Sequence, residues 1–264
     1  MSKKFIIPLM LLFFPLLTAC GEEANSSIES SQTRSLYVFG DSWADQMDDE
    51  VFQQELADRG FENLISIAPF AIGGTTMQQW ADDEEGILSE VLEEIGNDPN
   101  PNPIVFFTLS GNDLLGGGTM DNVLLHLRSL LTDLEASRED LQIIYAGYDI
   151  LNVEVDPEQC SRLLNNLFGT ADPALTNPQW LFTYELIAEV VNEFERATAV
   201  NTYGSLQGQP GNPLLDQWSN VDYLSDCIHL NDTGYGIYLD TVFDAALTPL
   251  ICTDTSANLA ECEA

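Results

Sequence analysis

The chain has 264 residues, 45% of them hydrophobic, which is enough for one large domain or two small ones with a buried core and excludes disorder, a coiled coil or collagen. Its 43 acidic residues stand against 8 basic ones, a formal net charge of −35. That field repels a phosphate backbone, so nucleic acid is excluded as a partner.

In chain order, Lys3 and Lys4 precede an apolar run from Phe5 to Leu17, followed by Thr18, Ala19 and Cys20. A charged start, an apolar stretch and small residues are the order of a secretory signal, so residues 1–19 are expected to be removed on export. The run is short of the roughly 20 residues that span a bilayer. Leu17-Thr18-Ala19-Cys20 resembles a bacterial lipobox, which implies cleavage before Cys20 and lipid on its thiol. The alternative is an ordinary signal cut nearby, with Cys20 incidental. Gly21, with no aspartate at that position, resembles lipoproteins sorted to an outer membrane, which implies membrane contact through Cys20. Both lysines leave with the signal, so the mature chain carries 43 acids against six arginines, a net charge of −37. Such a surface stays hydrated where salt screens its self-repulsion, which points to a saline habitat.

Residues 20–34 are polar, Ser-rich and acidic and read as a flexible tether; the folded domain is expected over 35–264. Apolar runs then alternate with helical patterns. Strands are expected at Leu36 to Phe39, Leu64 to Ala68, Ile104 to Leu109 and Leu141 to Ala146. Helices are expected near Asp45 to Arg59, Met77 to Ile95, Asn122 to Leu134 and Tyr184 to Arg196. A last helix follows the capping cluster Asn231-Asp232-Thr233, with Tyr235, Tyr238, Leu239, Val242, Phe243 and Ala246 on one face. This alternation predicts an α/β fold, three-layer α/β/α around a mostly parallel sheet. The stretch Asn152 to Trp180, with Pro157, Pro173 and Pro178, reads as an irregular insertion of the kind that shapes a substrate pocket.

Parallel sheets place ligands at the carboxyl ends of their strands. The residues following the apolar runs there are Gly40-Asp41-Ser42, Gly73-Gly74 and Gly111-Asn112-Asp113, and Asp226-Cys227-Ile228-His229 stands near the C-terminus. Ser42 is a weak nucleophile until a base takes its proton, and histidine is the side chain suited to that near neutrality. Asp226 can turn back to the imidazole Nδ1 and fix its tautomer. A tetrahedral oxyanion needs donors, and the backbone N–H groups of Ser42 and Gly74, or of Gly73 in place of Gly74, with the Asn112 amide, are the candidates.

These blocks, in this order, resemble the SGNH branch of the GDSL esterase and lipase family over nearly the whole mature domain. Phe39-Gly40-Asp41-Ser42-Trp43-Ala44-Asp45 is similar to the family's first block, with Trp43 where a leucine is usual. Ala71 to Thr76 resembles the second block, Gly111-Asn112-Asp113 the third and Asp226 to His229 the fifth. Pro69, where many members have Asn, and Leu230, where proline is common, depart from the pattern. The resemblance implies a serine esterase or lipase acting on lipid or short-chain acyl esters through an acyl-enzyme, with no cofactor. The alternatives are a carbohydrate O-acetylesterase on the same fold and a non-catalytic surface binding lipoprotein.

Other readings are weaker. An α/β-hydrolase elbow needs Gly-x-Ser-x-Gly, and Ala44 stands at its last position. Two distant histidines do not make a usual zinc site, and His126, among Leu124, Leu125, Leu127 and Leu130, reads as packing. The acidic run Asp82 to Glu85 before Gly86 lacks ligands at the first and twelfth positions of a calcium loop, held by Ala81 and Leu92, and reads as a solvated helix face. No metal is expected, and the chain reads as a monomer. The cysteines Cys160, Cys227, Cys252 and Cys262 sit in an exported chain where disulfides persist. Cys252 and Cys262 enclose a short turn-rich stretch, so their pairing demands least of the fold; by elimination Cys160 pairs with Cys227.

Overall fold

The computed structural model describes residues 33–47, 49–61, 64–252 and Cys262. The expected signal, Cys20 and all but the end of the tether lie outside these residues. The elements run β1 (Arg34–Gly40), α1 (Ser42–Asp45), α2 (Asp49–Asp58), β2 (Leu64–Ala71), α3 (Met77–Ala81), α4 (Ile87–Asn97), β3 (Ile104–Thr108), α5 (Gly111–Leu115), α6 (Met120–Ser137) and β4 (Gln142–Ala146). Then follow α7 (Pro157–Phe168), α8 (Pro173–Val191), β5 (Ala197–Val200), α9 (Asp232–Val242) and α10 (Thr248–Cys252), the last two joined by a π-helical turn, Phe243–Leu247.

All four strand pairings are parallel and the sheet order is β2-β1-β3-β4-β5. Parallel strands need both faces covered, and β1 and β3 are buried along their whole length. Helices α4, α6 and α8 pack side by side in one layer, while α2 and α9 pair in the other. The expected three-layer architecture is the observed one. The order reverses direction between β1 and β3, and in an open α/β sheet that switch point opens a crevice beyond the strand ends.

Several expected boundaries are corrected. The helix expected at 45–59 is two, α1 and α2. The helix expected at 77–95 breaks after Ala81, where Asp83, at φ 53°, turns its carboxylate onto the Leu88 and Ser89 amides and the Ser89 hydroxyl at the start of α4. The acidic run is therefore a helix break and cap, not a continuous solvated face. The stretch expected to be irregular contains α7 and the first half of α8, each opened by an aspartate cap and a proline in the first turn, Asp156-Pro157 and Asp172-Pro173. Phe194, expected on the helix from Tyr184, lies beyond α8 in the turn before β5. The sequence does not announce that strand, because four residues, Ala197–Val200, give too short a run for a periodic signal.

β2 runs three residues past its expected end. Its register against β1 slips between the Tyr37 and Phe39 pairs, so Ala68 and Pro69 share one step. Proline donates no ladder bond, and an edge strand with a bulge is where a sheet tolerates it. The helix expected after Asn231 is α9, where Asn231 accepts from the Gly234 amide; it ends at Val242, so Phe243 and Ala246 fall in the π-helical turn beyond it, and all six residues expected on the inner face are buried.

Candidate active site

Each of the first three strands ends in a turn that delivers one part of the site. At β1, Gly40 has φ 150°, and a Cβ there would strike the Thr108 carbonyl of β3. Only glycine lets β1 and β3 close up at that point. The next residue, Asp41, is fully buried; one carboxylate oxygen accepts from the Trp43 amide at 3.1 Å and the other from the Tyr148 hydroxyl at 2.6 Å. Burial pushes the Asp41 carboxyl up to about 7, against the pull of those two bonds. Trp43 stacks on Tyr148 with ring centroids 4.5 Å apart and meets Tyr238 edge-on. Ser42, the first residue of α1, is thus held from below by a buried carboxyl and three aromatic rings.

His229 reaches Ser42 from the other side. Its Nε2 lies 2.8 Å from Ser42 Oγ and its Nδ1 lies 2.8 Å from Asp226 Oδ2. The second Asp226 oxygen accepts the backbone amides of Ile228 and His229, both at 2.8 Å. Burial opposes ionisation of Asp226, but the His229 ring and these two amides outweigh it and hold the carboxyl below its ordinary range. The carboxylate therefore stays charged and fixes the ring's orientation. The loop is closed by a bridge between Leu224 and Leu230 and by the Ser225 amide on the His229 carbonyl at 2.9 Å.

The second and third blocks interlock beside Ser42. The Asn112 amide donates to the Thr75 carbonyl at 2.9 Å, leaving its second N–H for a ligand. Asp113 accepts from the Met77 and Gln78 amides, capping α3 and tying the β3 turn to the β2 turn. Gly73 lies close enough that a Cβ on it would sit 3.9 Å from Ser42 Cβ, and Gly74 has φ 85°. Among the described residues the amides of Ser42, Gly73 and Gly74 have no hydrogen-bond partner. Gly73 is thus the part of this turn that lies against Ser42, and unpaired N–H groups of this kind can bind an oxyanion.

Both expected disulfides are present: Cys160–Cys227, with Cα atoms 5.4 Å apart, and Cys252–Cys262 at 5.3 Å. The first ties the histidine loop to α7. The stretch from Asn152 to Trp180 also braces the segment that leads into this loop: Asn152 donates to the Ser219 carbonyl at 2.6 Å and Asn177 to that of Gln217 at 2.7 Å. His126 lies on α6, half-buried and away from the described contacts of Ser42. Among the described residues no group of three or more His, Cys, Asp or Glu is arranged to hold a metal ion.

Sequence reasoning missed Tyr148 and Ser110. Tyr148 follows β4 as Ser42 follows β1, so extending the strand-end survey to β4 would have found it. A Cβ on Gly111 would overlap its ring, and the cavity behind it, walled by Tyr145, Trp180 and Tyr184, measures about 10 Å³, room for one water. Ser110, just before Gly111-Asn112, is buried at φ 105°, strained for a residue with a side chain. No sequence signal announces that angle.

A sequence profile of the GDSL-like Lipase/Acylhydrolase family matches residues 38–237. The chain belongs to that family. The esterase or lipase class expected from the sequence agrees with it, and paired disulfides point to an exported protein. Solved structures share the fold of this family member. They include a carbohydrate esterase family 3 protein from Talaromyces cellulolyticus (13% identity, 84% of this chain and 100% of the other, TM-score 0.57). An acetylxylan esterase from Geobacillus stearothermophilus, solved as a catalytic mutant, follows (13%, 82% and 95%, TM-score 0.54). A member of the lipolytic protein G-D-S-L family from Veillonella parvula is similar as well (15%, 81% and 98%, TM-score 0.51). At these identities the likeness is one of fold. No curated protein sequence gives a significant match.

Proposed function

We propose that this chain is an exported serine hydrolase of carboxylic esters that works through an acyl-enzyme. The observation that carries the reading is the unbroken series of 2.8 Å contacts from Ser42 Oγ through the His229 ring to Asp226. His229 Nε2 takes the Ser42 proton as Oγ attacks the ester carbonyl carbon. The carbonyl oxygen becomes an oxyanion against the amides of Ser42 and Gly73 or Gly74 and the free Asn112 N–H. The imidazolium, steadied by Asp226, gives its proton to the departing alcohol. Water then repeats the sequence on the acyl-Ser42, releasing a carboxylic acid and restoring the serine. A chromogenic short-chain ester tests the reading: wild-type protein should turn it over and Ser42→Ala should not, whereas equal rates would reduce the chain to a binding protein on a hydrolase fold.

A carbohydrate O-acetylesterase is the second reading, favoured by the two neighbours whose names state carbohydrate ester substrates. We also propose that the mature chain is held to the bacterial outer membrane by lipid on Cys20, facing the periplasm or the cell exterior, and acts as a monomer on small-molecule or lipid esters. Labelled palmitate should enter the wild-type chain in a bacterial host and not Cys20→Ser; equal incorporation rules the anchor out.

A further inference from the structure

Resting on the ester-hydrolase reading, we propose that this site selects esters that carry no negative charge near the scissile bond, favours cationic ones, and uses Asp45 as the selecting residue. Outside Lys3 and Lys4, the chain's cationic side chains are six arginines, and none faces the site. Arg59 is held by Asp240 and Asp244, Arg128 by Glu193, Arg138 by Asp140, Arg162 by Glu158 and Arg196 by Glu135. Arg34, at the opposite end of β1 from Ser42, donates to the Asn102 carbonyl. An anionic substrate arriving at Ser42 would meet no countercharge.

What it would meet is carboxylate. Asp45 is exposed at the end of α1, one turn beyond Ser42, and a Cβ on Gly73 would lie 2.9 Å from its Oδ2. The carboxylate therefore edges the approach between the nucleophile and the glycine turn. Asp226 is committed to His229 and Asp41 to Tyr148 and Trp43. Asp45 has no hydrogen-bond or ion-pair partner among the described residues, so its charge is free to act on a substrate. A unit charge a few ångströms from another, partly desolvated, changes binding and rate by about tenfold or more. Phospholipids, acyl phosphates and acyl groups on phosphorylated carriers fall on the disfavoured side; esters of neutral polyols or of cationic alcohols fall on the favoured side.

The test uses three aryl acetates of matched shape, carrying a meta trimethylammonium, tert-butyl or sulfonate group, each rate divided by that ester's hydroxide hydrolysis rate. At roughly 10 mM salt, kcat/KM should fall in the order cation, neutral, anion, with about tenfold or more between the ends, and the spread should shrink at 1 M salt, where screening acts within about 3 Å. Asp45→Asn should lower the cation-to-anion ratio severalfold and Asp45→Glu should keep most of it. Glu90→Gln, which removes the same charge from an exposed site on α4, should leave the ratio in place. Cleavage of the anion as fast as the neutral ester at low salt, or equal ratio changes in Asp45→Asn and Glu90→Gln, overturns the inference while leaving the hydrolase reading intact. No turnover of any ester, with no adduct on Ser42, overturns that reading and this one with it.

Discussion

The two halves of the site are built by different means. Ser42 is fixed by the core: β1 pairs on both sides, Asp41 is sealed beneath it, and Trp43, Tyr148 and Tyr238 pack around it. His229 is fixed by staples: a loop whose Asp226 side chain is 53% exposed, held by a bridge, a few amide bonds and the Cys160–Cys227 bond. Displacing Ser42 means disrupting the domain, whereas displacing His229 means cutting a small number of local links. The fold stabilises one half, and export chemistry secures the other.

The largest effect that sharpens this comparison is removal of the proposed base. His229→Ala should lower kcat by roughly 10⁴- to 10⁶-fold, because a serine hydroxyl without a base is a weak nucleophile, while thermal stability barely moves because the ring lies outside the core. A large loss of stability on circular dichroism melting would show that the loop supports the core after all. Asn112→Ala should lower kcat by about 10²- to 10³-fold with little change in KM, since its free N–H meets a charge present only in the transition state. Steady-state kinetics carried mainly by KM would make Asn112 a substrate-binding group instead.

Cutting the staple comes next. The double variant Cys160→Ala, Cys227→Ala should lose about 2 to 4 kcal/mol of stability and, because a displacement of about 1 Å at a reacting group costs roughly 10²-fold, should also lose kcat at near-constant KM. A folded double variant with unchanged kcat would confine the bond to stability.

The smallest effect concerns the buried half. The folded chain keeps a proton on Asp41 up to about pH 7, whereas the unfolded chain releases it near about 3.9. Between those values folding takes up a proton, so the raised carboxyl makes stability fall as pH rises through about 4 to 7. Asp41→Asn should flatten Asp41's share of that slope in denaturant melts from pH 4 to 8; an unchanged slope would mean the carboxyl is ionised in the fold.

The fold and the contacts around Ser42 were legible in the sequence because that half follows local rules. Apolar strands ending in Gly-Asp-Ser, Gly-Gly and Gly-Asn-Asp gave the sheet and the rim, and the small count of histidines left His229 as the credible base. The cysteine pairing was legible because a ten-residue separation left one partner each for Cys160 and Cys227. What escaped depends on tertiary contact. Tyr148 becomes part of the site only because Gly111 and Trp43 leave room for its ring, and Ser110 adopts its positive φ only under the packing around it. α7 and the start of α8 were hidden by prolines that open helices here, and the break at Asp83 by an acidic run that resembles a solvated face.

Covalent capture tests the central claim most directly. After treatment with a fluorophosphonate, peptide mapping by mass spectrometry should find one adduct, on Ser42, that forms slowly in His229→Ala and is absent in Ser42→Ala. An adduct on another residue, or labelling of Ser42 at the same rate without His229, would contradict the assignment of Ser42 and His229 as nucleophile and base.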